Sequence, residues 1–369
     1  MDSASYRNRC LLTAWNAFYK KAISSVHALP YRNPILIAAI LLLVGSETAI
    51  GQTSGLQLFS DSRPAMGTIF RIYLYSPDRE KAFAQLEAAF YEIERVEEVL
   101  SNYRPNSEVS RINRVAGVET VTTDPEVFHL LQRSFEFSRR THGAFDITVG
   151  PLMRAWGFFR ASGRYPASAE LSQARASTGW DRVKLDTDDR TVRFLSPGME
   201  LDLGGIGKGY AVDQVVSVLR DAGVTSALID AGSSTLYALG APPGKNVWKV
   251  MVPKPGQRSQ PVSEVGLRDT SLSTSGSYEK FFRLNGRTYC HIMDPRTGEP
   301  VQGMLQTTVI ASTATDSDAL STAMFVMGPT AGRDLLQSMP GTSAIWFTGT
   351  AEHAHIEQWH WPGPFVPAE

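Results

Sequence analysis

Four glycines and a lysine lie within six residues of the segment Leu201–Asp213 (LDLGGIGKGYAVD). The pattern predicts that Leu201–Leu203 ends a strand and that Tyr210–Ala222 forms an amphipathic helix, which Gly223 ends. Free N–H groups at such a helix start, together with the positive end of the helix dipole, can bind a phosphate. The segment matches neither a Walker loop, which needs Ser or Thr after Gly-Lys, nor the G-x-G-x-x-G dinucleotide fingerprint. A tight turn that binds nothing is the alternative.

A carboxylate and a hydroxyl are spaced for a metal site in the segment Thr315–Thr322 (TDSDALST). Asp318 and Thr322 are four residues apart, so a helix brings both side chains to one face. Oxygen ligands of these two types suit Mg²⁺, which usually keeps water and a substrate phosphate as further ligands. The alternative is structural, because Thr315 and Asp318 have nearly the spacing of a capping box and acids suit the first turn of a helix.

A single histidine, His291, lies in the segment CHIMDPRTG. A tight turn accounts for Asp294, Pro295 and Gly298, since proline presets the backbone and glycine closes the turn. The turn does not account for His291, which is predicted to end a strand and could act as a general base near neutral pH. A purely structural histidine is the alternative.

Two shorter segments could contact a planar ligand. In Gly143–Asp146 (GAFD) the small residues would let the backbone approach a ring system while Asp146 accepts a hydrogen bond, although a turn that ends a helix would explain the same residues. Met66, just before the first predicted strand, could pack its thioether against an aromatic ring. Ordinary core packing is the alternative for Met66.

Strands and helices alternate along the chain without a regular strand–helix–strand rhythm. Apolar periodicity predicts strands at Gly67–Tyr75, Val224–Asp230 and Val247–Val252, a hairpin at Trp180–Ser196, and helices at Arg79–Leu100, Pro125–Thr141 and Asp318–Met327. Asn102–Asn113 is polar and is predicted to be turn-like. The predicted fold class is therefore α/β or α+β, a single domain with a mixed β-sheet and flanking helices.

The first 51 residues are predicted to be an export segment, and residues 52–369 the functional domain. Ile35–Val44 is a run of ten apolar residues with Lys20, Lys21 and Arg32 before it. Ten residues are too few to span a bilayer but suit a signal-peptide core. An uncleaved membrane anchor is the alternative. The formal net charge of −1 gives no reason to expect a nucleic-acid partner.

Taken in order along the chain, these segments resemble the ApbE-type FAD:protein FMN transferases. The resemblance rests on Met-Gly-Thr before the first strand, Leu-Ser-Asn-Tyr, the GAFD segment, the glycine turn, HIMDPRTGEP and TDSDALSTA, and it spans about residues 63–330. The glycine turn and H-x-x-D-P-x-T-G are the long, specific motifs. One departure is Ser321, where some members carry an acid directly before the metal-ligand threonine.

The resemblance implies roles for individual residues. Positions around the flavin and adenosine parts of FAD, or otherwise in contact with FAD, are matched by Met66, Tyr103, Ala144, Phe145, Asp146, Asp202, Lys208 and Ile292. The Mg²⁺ ligands are matched by the carbonyl of Gly205 and the side chains of Asp318 and Thr322. The base for the incoming hydroxyl is matched by His291.

The implied activity is a Mg²⁺-dependent cleavage of the FAD pyrophosphate that attaches FMN to a Thr or Ser of a target flavoprotein and releases AMP. Acceptors of the family carry a short motif close to Ser/Thr-Gly-Ala-Ser/Thr, as in subunits of membrane electron-transfer complexes. With the signal-like segment, this implies a periplasmic location or one at the outer face of the inner membrane. Two alternatives stay open: a Mg²⁺-dependent FAD pyrophosphatase that yields FMN and AMP, and a periplasmic flavin-binding protein without turnover.

Overall fold

The computed structural model describes residues 55–160, 163–350 and 353–365, all within one compact unit, Ala49–Glu369. The predicted export segment, residues 1–51, lies outside the described residues. The helices are α1 (Arg79–Leu100), α2 (Glu108–Val115), α3 (Pro125–Arg140), α4 (Gly150–Ala155), α5 (Ser168–Ala176), α6 (Gly207–Asp221) and α7 (Ala314–Leu336), with short 3₁₀ turns at Phe158–Arg160 and Trp180–Arg182. No helix in the described part of the chain combines the length and apolar character needed to cross a bilayer.

Eight strands form one large sheet, and four pairs or triplets of shorter strands lie around it. The large sheet contains β1 (Gln57–Ala65), β2 (Thr68–Ser76), β6 (Ala227–Ala231), β7 (Thr235–Leu239), β10 (Thr270–Gly276), β15 (Met304–Ala311), β16 (Ser343–Gly349) and β17 (Ala354–Trp359), in that spatial order. The smaller sheets are β3 (Val121–Thr122) with β5 (Thr191–Phe194) and β4 (Val183–Asp186), β8 (Trp248–Lys254) with β9 (Gln257–Leu267), β11 (Phe281–Leu284) with β12 (Arg287–Cys290), and β13 (Met293–Asp294) with β14 (Glu299–Pro300).

The predicted class of helices flanking one substantial sheet is confirmed. The strand directions, however, are not mixed: every pair of neighbouring strands in the large sheet is antiparallel. Tight hairpins join β1 to β2 and β6 to β7, and the helical excursion between β2 and β6 returns the chain in the opposite direction. A parallel pair would have required a crossover that this chain does not make between its described strands.

The two faces of the large sheet are covered differently. On β2, Phe70, Ile72 and Leu74 are fully buried in the main core with α1 and α6, while Tyr73 and Tyr75 point to the other face and pack on the β8–β9 cluster. This alternation is what a strand between two packed layers requires. A third cluster around Trp156 joins α4 and α5 to β12 and β13.

The longest periodic segments were predicted well, and the short ones were not. The α1 helix and the Trp180–Ser196 hairpin, whose strands are β4 and β5, lie where the sequence places them. Three short helices, α2, α4 and α5, were missed, so the prediction that Asn102–Asn113 is only turn-like was wrong in its second half. The late helix begins at Ala314, four residues earlier than predicted. Its predicted end at Met327 is confirmed by a non-helical break at Gly328, where φ is 73°, and a second helical stretch then runs to Leu336.

Candidate active site

The glycine turn leads directly into α6, but no strand precedes it. Leu201 exchanges two hydrogen bonds with the side chain of Asn113, at 2.8 and 3.0 Å, and Asp202 donates its N–H to the Ile147 carbonyl at 2.7 Å. The prediction of a strand end at Leu201–Leu203 was therefore wrong, because a side chain and a loop replace the neighbouring strand. The helix starts at Gly207, three residues earlier than predicted.

In the first turn of α6, one N–H group has no partner among the described residues. The N–H of Gly207 donates to Leu203 O at 2.8 Å, and the N–H of Gly209 donates to Asp318 Oδ2 at 2.9 Å. Lys208 N–H makes no hydrogen bond within the described part of the chain, and its ammonium lies 3.4 Å from Gly204 O. The helix start therefore combines a free donor, a positive dipole end and a lysine, the features of an anion site.

Asp318 does not cap its own helix. The N-cap of α7 is Thr313, whose hydroxyl accepts the Asp316 N–H at 3.1 Å, so the predicted alternative of a Thr315–Asp318 capping box was wrong. Thr315 instead donates its hydroxyl to Asp213 Oδ2 on α6, at 2.6 Å. Asp318 is 5% exposed, and its Oδ1 makes no hydrogen bond within the described residues. Oδ1 is not one of the fully enclosed, unpaired polar atoms of the described residues, so it reaches solvent, where water or a cation can bind it.

Gly205, Thr322 and Phe145 meet beside Asp318. A Cβ placed on Gly205 would lie 3.3 Å from Thr322 Oγ1 and 3.3 Å from Phe145 Cε2. The structure thus brings Gly205 next to the predicted hydroxyl of Thr322, although the two residues are more than a hundred positions apart in sequence. Their proximity follows from the close contact of α6 with α7.

This group of oxygen donors fits Mg²⁺. The donors are one carboxylate (Asp318), one hydroxyl (Thr322) and one carbonyl (Gly205), and Mg²⁺ prefers such a small oxygen set completed by water and phosphate. Among the described residues, no group of three or more His, Cys, Asp or Glu side chains could hold a metal ion, so any Mg²⁺ here would depend on the hydroxyl, the carbonyl, water and phosphate as well. Ser321 is fully buried and bonds Ser275 Oγ at 2.9 Å, and the same Ser275 Oγ lies 3.3 Å from Thr322 Oγ1.

Met66 lies in a hairpin turn and not before the first strand, because β1 precedes it. Met66 and Gly67 connect β1 to β2 with φ values of 49° and 72°, the two positive values of a two-residue type I′ turn. The methyl of Met66 would lie 3.6 Å from a Cβ placed on Gly207. The turn therefore positions the half-buried thioether at the start of α6.

The GAFD segment packs inward. Ala144 and Phe145 are 1% and 2% exposed, and Phe145 packs edge-on against Phe137 at 5.9 Å. Asp146 uses both oxygens internally, accepting bonds from Thr148 N–H and Oγ1 at 2.8 Å and from Trp180 N–H at 2.9 Å. Burial raises the pKa of Asp146 to about 6, against these hydrogen bonds. Asp146 thus holds the loop in place, and its contact with FAD stays a prediction.

His291 is held in one tautomer by a backbone carbonyl. The ring nitrogen Nδ1 of His291 lies 3.2 Å from Lys280 O, and the backbone N–H of His291 donates to the same oxygen at 2.9 Å. Because a carbonyl can only accept, Nδ1 carries the proton of the neutral ring and Nε2 keeps a lone pair. Burial, together with the ammonium groups of Lys280 and Lys208, lowers the pKa of His291 to about 4. His291 is therefore neutral at physiological pH, as a general base must be.

The turn after His291 is held by a hydrogen bond to Trp156, the centre of the third hydrophobic cluster. Gly298 donates its N–H to Asp294 O at 2.8 Å and has a φ of 78°, so the predicted Asp-Pro-x-x-Gly turn is confirmed. Its carbonyl accepts a bond from the Trp156 indole at 2.9 Å. Ile292, between the histidine and the turn, is 7% exposed.

Tyr103 is at the outer edge of the site. Tyr103 is 57% exposed, and its ring stacks on that of Phe159 with centroids 4.5 Å apart. The guanidinium of Arg154 lies 4.0 Å from the centre of the Phe159 ring. Burial raises the pKa of Asp202, and the Gly204 N–H, which donates to it at 2.8 Å, opposes that rise. A cavity of about 370 Å³ opens here, lined by residues that include Asn102, Arg154 and Glu200.

Sequence reasoning missed three residues of this region: Lys280, Arg154 and Phe159. Lys280 had no signal of its own in the sequence, although its carbonyl bonds His291 and its ammonium lowers the pKa of His291. Phe159 ends an aromatic run, Trp156-Gly157-Phe158-Phe159, which could have indicated a stacking surface.

A family model described as the ApbE family matches residues 66–346. A protein of Treponema pallidum (strain Nichols), named FAD:protein FMN transferase, is 33% identical over 328 residues, which are 84% of this chain and 89% of that protein. The chain belongs to the ApbE family.

Solved structures of the ApbE family share the fold. The ApbE protein of Thermotoga maritima superposes with a TM-score of 0.76 at 32% identity, covering 82% of this chain and 97% of its own. The flavinyl transferase ApbE of Pseudomonas stutzeri, in its apo form, has a TM-score of 0.73 at 28% identity and covers 83% and 95%. The predicted family is confirmed, and with it the prediction that the chain is an enzyme of the transferase class. All predicted site residues fall within the part that matches the ApbE family.

Proposed function

We propose that this protein is a Mg²⁺-dependent FAD:protein FMN transferase that links FMN through a phosphoester to a Thr or Ser of a target flavoprotein and releases AMP. The observation that carries the proposal is the convergence of Gly205, Asp318 and Thr322 beside the free N–H of Lys208. A metal-type oxygen set next to an anion site suits a pyrophosphate substrate. The name FAD:protein FMN transferase borne by the relatives supports the choice of FAD.

Different residues of the site bind different parts of FAD. The Lys208 ammonium and the start of α6 bind the pyrophosphate of FAD, and Met66 packs on its ring system. Tyr103 and the buried Asp202 contact further parts of FAD. Asp318, Thr322 and the Gly205 carbonyl would hold Mg²⁺, which neutralises charge on a cleaving pyrophosphate.

His291 supplies the base for transfer. Its Nε2 takes the proton of the acceptor hydroxyl as that oxygen bonds to the FMN-side phosphorus and the bond to the AMP oxygen breaks. The Lys280 carbonyl keeps the ring in the tautomer that leaves Nε2 unprotonated. Because the pKa of His291 is lowered to about 4, the base is available throughout the neutral range.

The proposed acceptor is a flavoprotein segment with a Ser/Thr-Gly-Ala-Ser/Thr-like motif, such as a subunit of a membrane electron-transfer complex. The proposed location is the periplasm or the outer face of the inner membrane. Both proposals rest on the family resemblance and on the signal-like segment, residues 1–51.

The test is intact-mass measurement of a peptide or domain with the Ser/Thr-Gly-Ala-Thr motif after incubation with residues 52–369, FAD and Mg²⁺. A mass gain equal to FMN minus water, absent with EDTA, is expected. His291→Ala should slow the gain by roughly 10²–10⁴-fold without weakening FAD binding. Free FMN and AMP with an unmodified acceptor would instead identify a pyrophosphatase, and intact FAD would identify a flavin-binding protein.

A further inference from the structure

The β11–β12 hairpin has a free backbone edge. Its turn, Asn285-Gly286, has φ values of 51° and 76°, so Leu284 and Arg287 form the hydrogen-bonded pair that closes a two-residue hairpin. Hydrogen-bonded and non-hydrogen-bonded pairs alternate along an antiparallel ladder. The N–H and C=O groups of Phe281 and Arg283 therefore point away from β12.

Nothing in the described part of the chain pairs with this edge. The only strand that neighbours β11 among the described residues is β12, and neither Phe281 nor Arg283 makes a backbone hydrogen bond to another described residue on the outer side. Two outward donors and two outward acceptors, repeating at about 6.7 Å, are what one further strand would bind.

The edge starts next to the proposed base. Lys280, the residue before β11, is the one whose carbonyl accepts the N–H of His291 at 2.9 Å and faces its Nδ1 at 3.2 Å. The Lys280–His291 pair extends the β11–β12 ladder by one residue beyond the Phe281–Cys290 pair. Both groups of His291 meet the Lys280 carbonyl on the β12 side, so a segment bound along the outer edge of β11 would reach the His291 ring by turning around Lys280, where the ladder ends.

The chemistry of the hairpin surface fits a polypeptide with acidic side chains. Phe281 and Leu284 are 45% and 39% exposed, which gives apolar contact area. Arg283 and Arg287 are exposed, and neither has a carboxylate within 4.0 Å among the described residues. The guanidinium of Arg283 lies 5.6 Å from the centre of the Phe281 ring, so charge and ring form one surface.

We propose that the acceptor segment of the target protein docks as a third strand on the Phe281–Arg283 edge of this hairpin. Docking there carries its hydroxyl to His291 and places acidic side chains of the segment beside Arg283 and Arg287. This inference rests on the proposed transferase function, since it is that reaction which requires a polypeptide at His291.

The test compares Arg283→Pro with Arg283→Ala. Proline removes one outward N–H, and proline is tolerated on edge strands because no bond within the hairpin is lost. Alanine removes the same side chain but keeps the N–H. The probe is a fluorescent peptide with the Ser/Thr-Gly-Ala-Thr motif, whose dissociation constant is measured by anisotropy with FAD and Mg²⁺ present.

Arg283→Pro should raise the peptide dissociation constant about tenfold or more, as expected for a lost backbone bond, and Arg283→Ala only a few-fold. FAD affinity, measured by flavin fluorescence, should stay within twofold in both. N-methylation of the peptide at successive residues should weaken binding at every second position. The proposal would be overturned by equal peptide binding in the two variants or by a parallel loss of FAD affinity. It would also be overturned if N-methylation showed no two-residue period, or if the unmodified protein did not bind the peptide. If the peptide binds with these signatures but gains no FMN mass, the docking edge stands and the transferase function fails.

Discussion

At the scale of single residues, the charge state of His291 depends on its neighbours. Burial and two ammonium groups lower its pKa to about 4, so its neutral form persists well below pH 6. Replacing Lys280 by methionine removes one positive charge while leaving the backbone carbonyl in place. The pKa of His291 should therefore rise, because a nearby cation no longer disfavours the protonated ring.

We expect Lys280→Met to move the acid limb of the pH profile of kcat/KM upward by roughly half a unit to one unit. The profile above pH 7 should not change through this group, since the ring is neutral there in both proteins. Lys245→Met, at an exposed lysine that has no part in the pKa of His291, is the control. An unshifted acid limb in Lys280→Met would show that His291 is not the group that limits the rate.

Asp318 has two separable roles: it accepts a hydrogen bond from a backbone N–H, and it is a proposed ligand of Mg²⁺. Its Oδ2 accepts the Gly209 N–H at 2.9 Å, and an asparagine oxygen can do the same without a charge. Asp318→Asn should therefore lower Mg²⁺-dependent turnover by roughly 100-fold or more while the melting temperature in EDTA stays close to that of the parent. Asp318→Ala should also lose about 1–3 kcal/mol of stability, because the buried N–H is left unsatisfied.

Differential scanning calorimetry in EDTA and turnover as a function of Mg²⁺ concentration separate the two roles. Equal activity of Asp318→Asn and the parent at every Mg²⁺ concentration would remove Asp318 from the metal site and leave it a purely structural residue.

At the scale of elements, the site depends on how closely α6 approaches α7. A Cβ on Gly209 would collide with the Ala314 carbonyl oxygen and lie 2.7 Å from Asp318 Cβ. Gly209 is helical, so the need for glycine here comes from the neighbouring helix and not from its own backbone conformation. Asp213 strengthens the same contact by accepting the N–H groups of Ala314 and Thr315, each at 2.8 Å.

Gly209→Ala should therefore force the two helices apart, which costs about 1–3 kcal/mol of stability and weakens Mg²⁺ binding as Gly205 moves from Thr322. The matched control is Gly117→Ala, since a Cβ there meets nothing within 4 Å and its φ is not positive. Urea denaturation of the three proteins measures the stabilities. A Gly209→Ala protein as stable as Gly117→Ala would mean that the helices have room to adjust.

Sequence reasoning recovered these elements in proportion to their length and periodicity. The 22 residues of α1 carry enough apolar repeats to set both helix ends. The six residues of α4 carry too few, and their ends are set by tertiary contacts such as the Gly150 N–H to Glu200 O bond at 3.2 Å. The capping residue of α7 was misassigned because Thr313 and Thr315 both precede an acid three residues later, and only the fold shows which one begins the helix.

At the scale of the whole molecule, local patterns do not determine strand order. The pairing of β2 with β6 joins Phe70 to Ala231 across a long helical excursion, and no nearby residue signals it. The candidate site has the same property, since Met66, Gly205 and Asp318 come from three distant segments. The motifs of the ApbE family identified these residues individually, and the convergence of α6, α7 and the β1–β2 turn brings them together.

The prediction that residues 52–369 form the functional domain can be tested by removing residues 1–51. The main core, the β8–β9 cluster and the Trp156 cluster draw on described residues between Phe59 and Trp361. Because the described residues alone supply these three clusters, we expect the protein consisting of residues 52–369 to melt within about 2 °C of the full chain and to bind FAD with the same affinity. Thermal unfolding in matched detergent-containing buffer measures both proteins under the same conditions.

A deeper truncation gives the contrast. Starting at Gly67 removes β1, which pairs with β2 over nine residues, from Gln57 opposite Ser76 to Ala65 opposite Thr68, and also removes Met66. That protein should lose several kcal/mol of stability, because β2 becomes an exposed edge. FAD affinity should fall as well, because the turn beside Gly207 is gone. If removing residues 1–51 already lowered the melting temperature as much, the first segment would be part of the folded domain and the division would lie elsewhere.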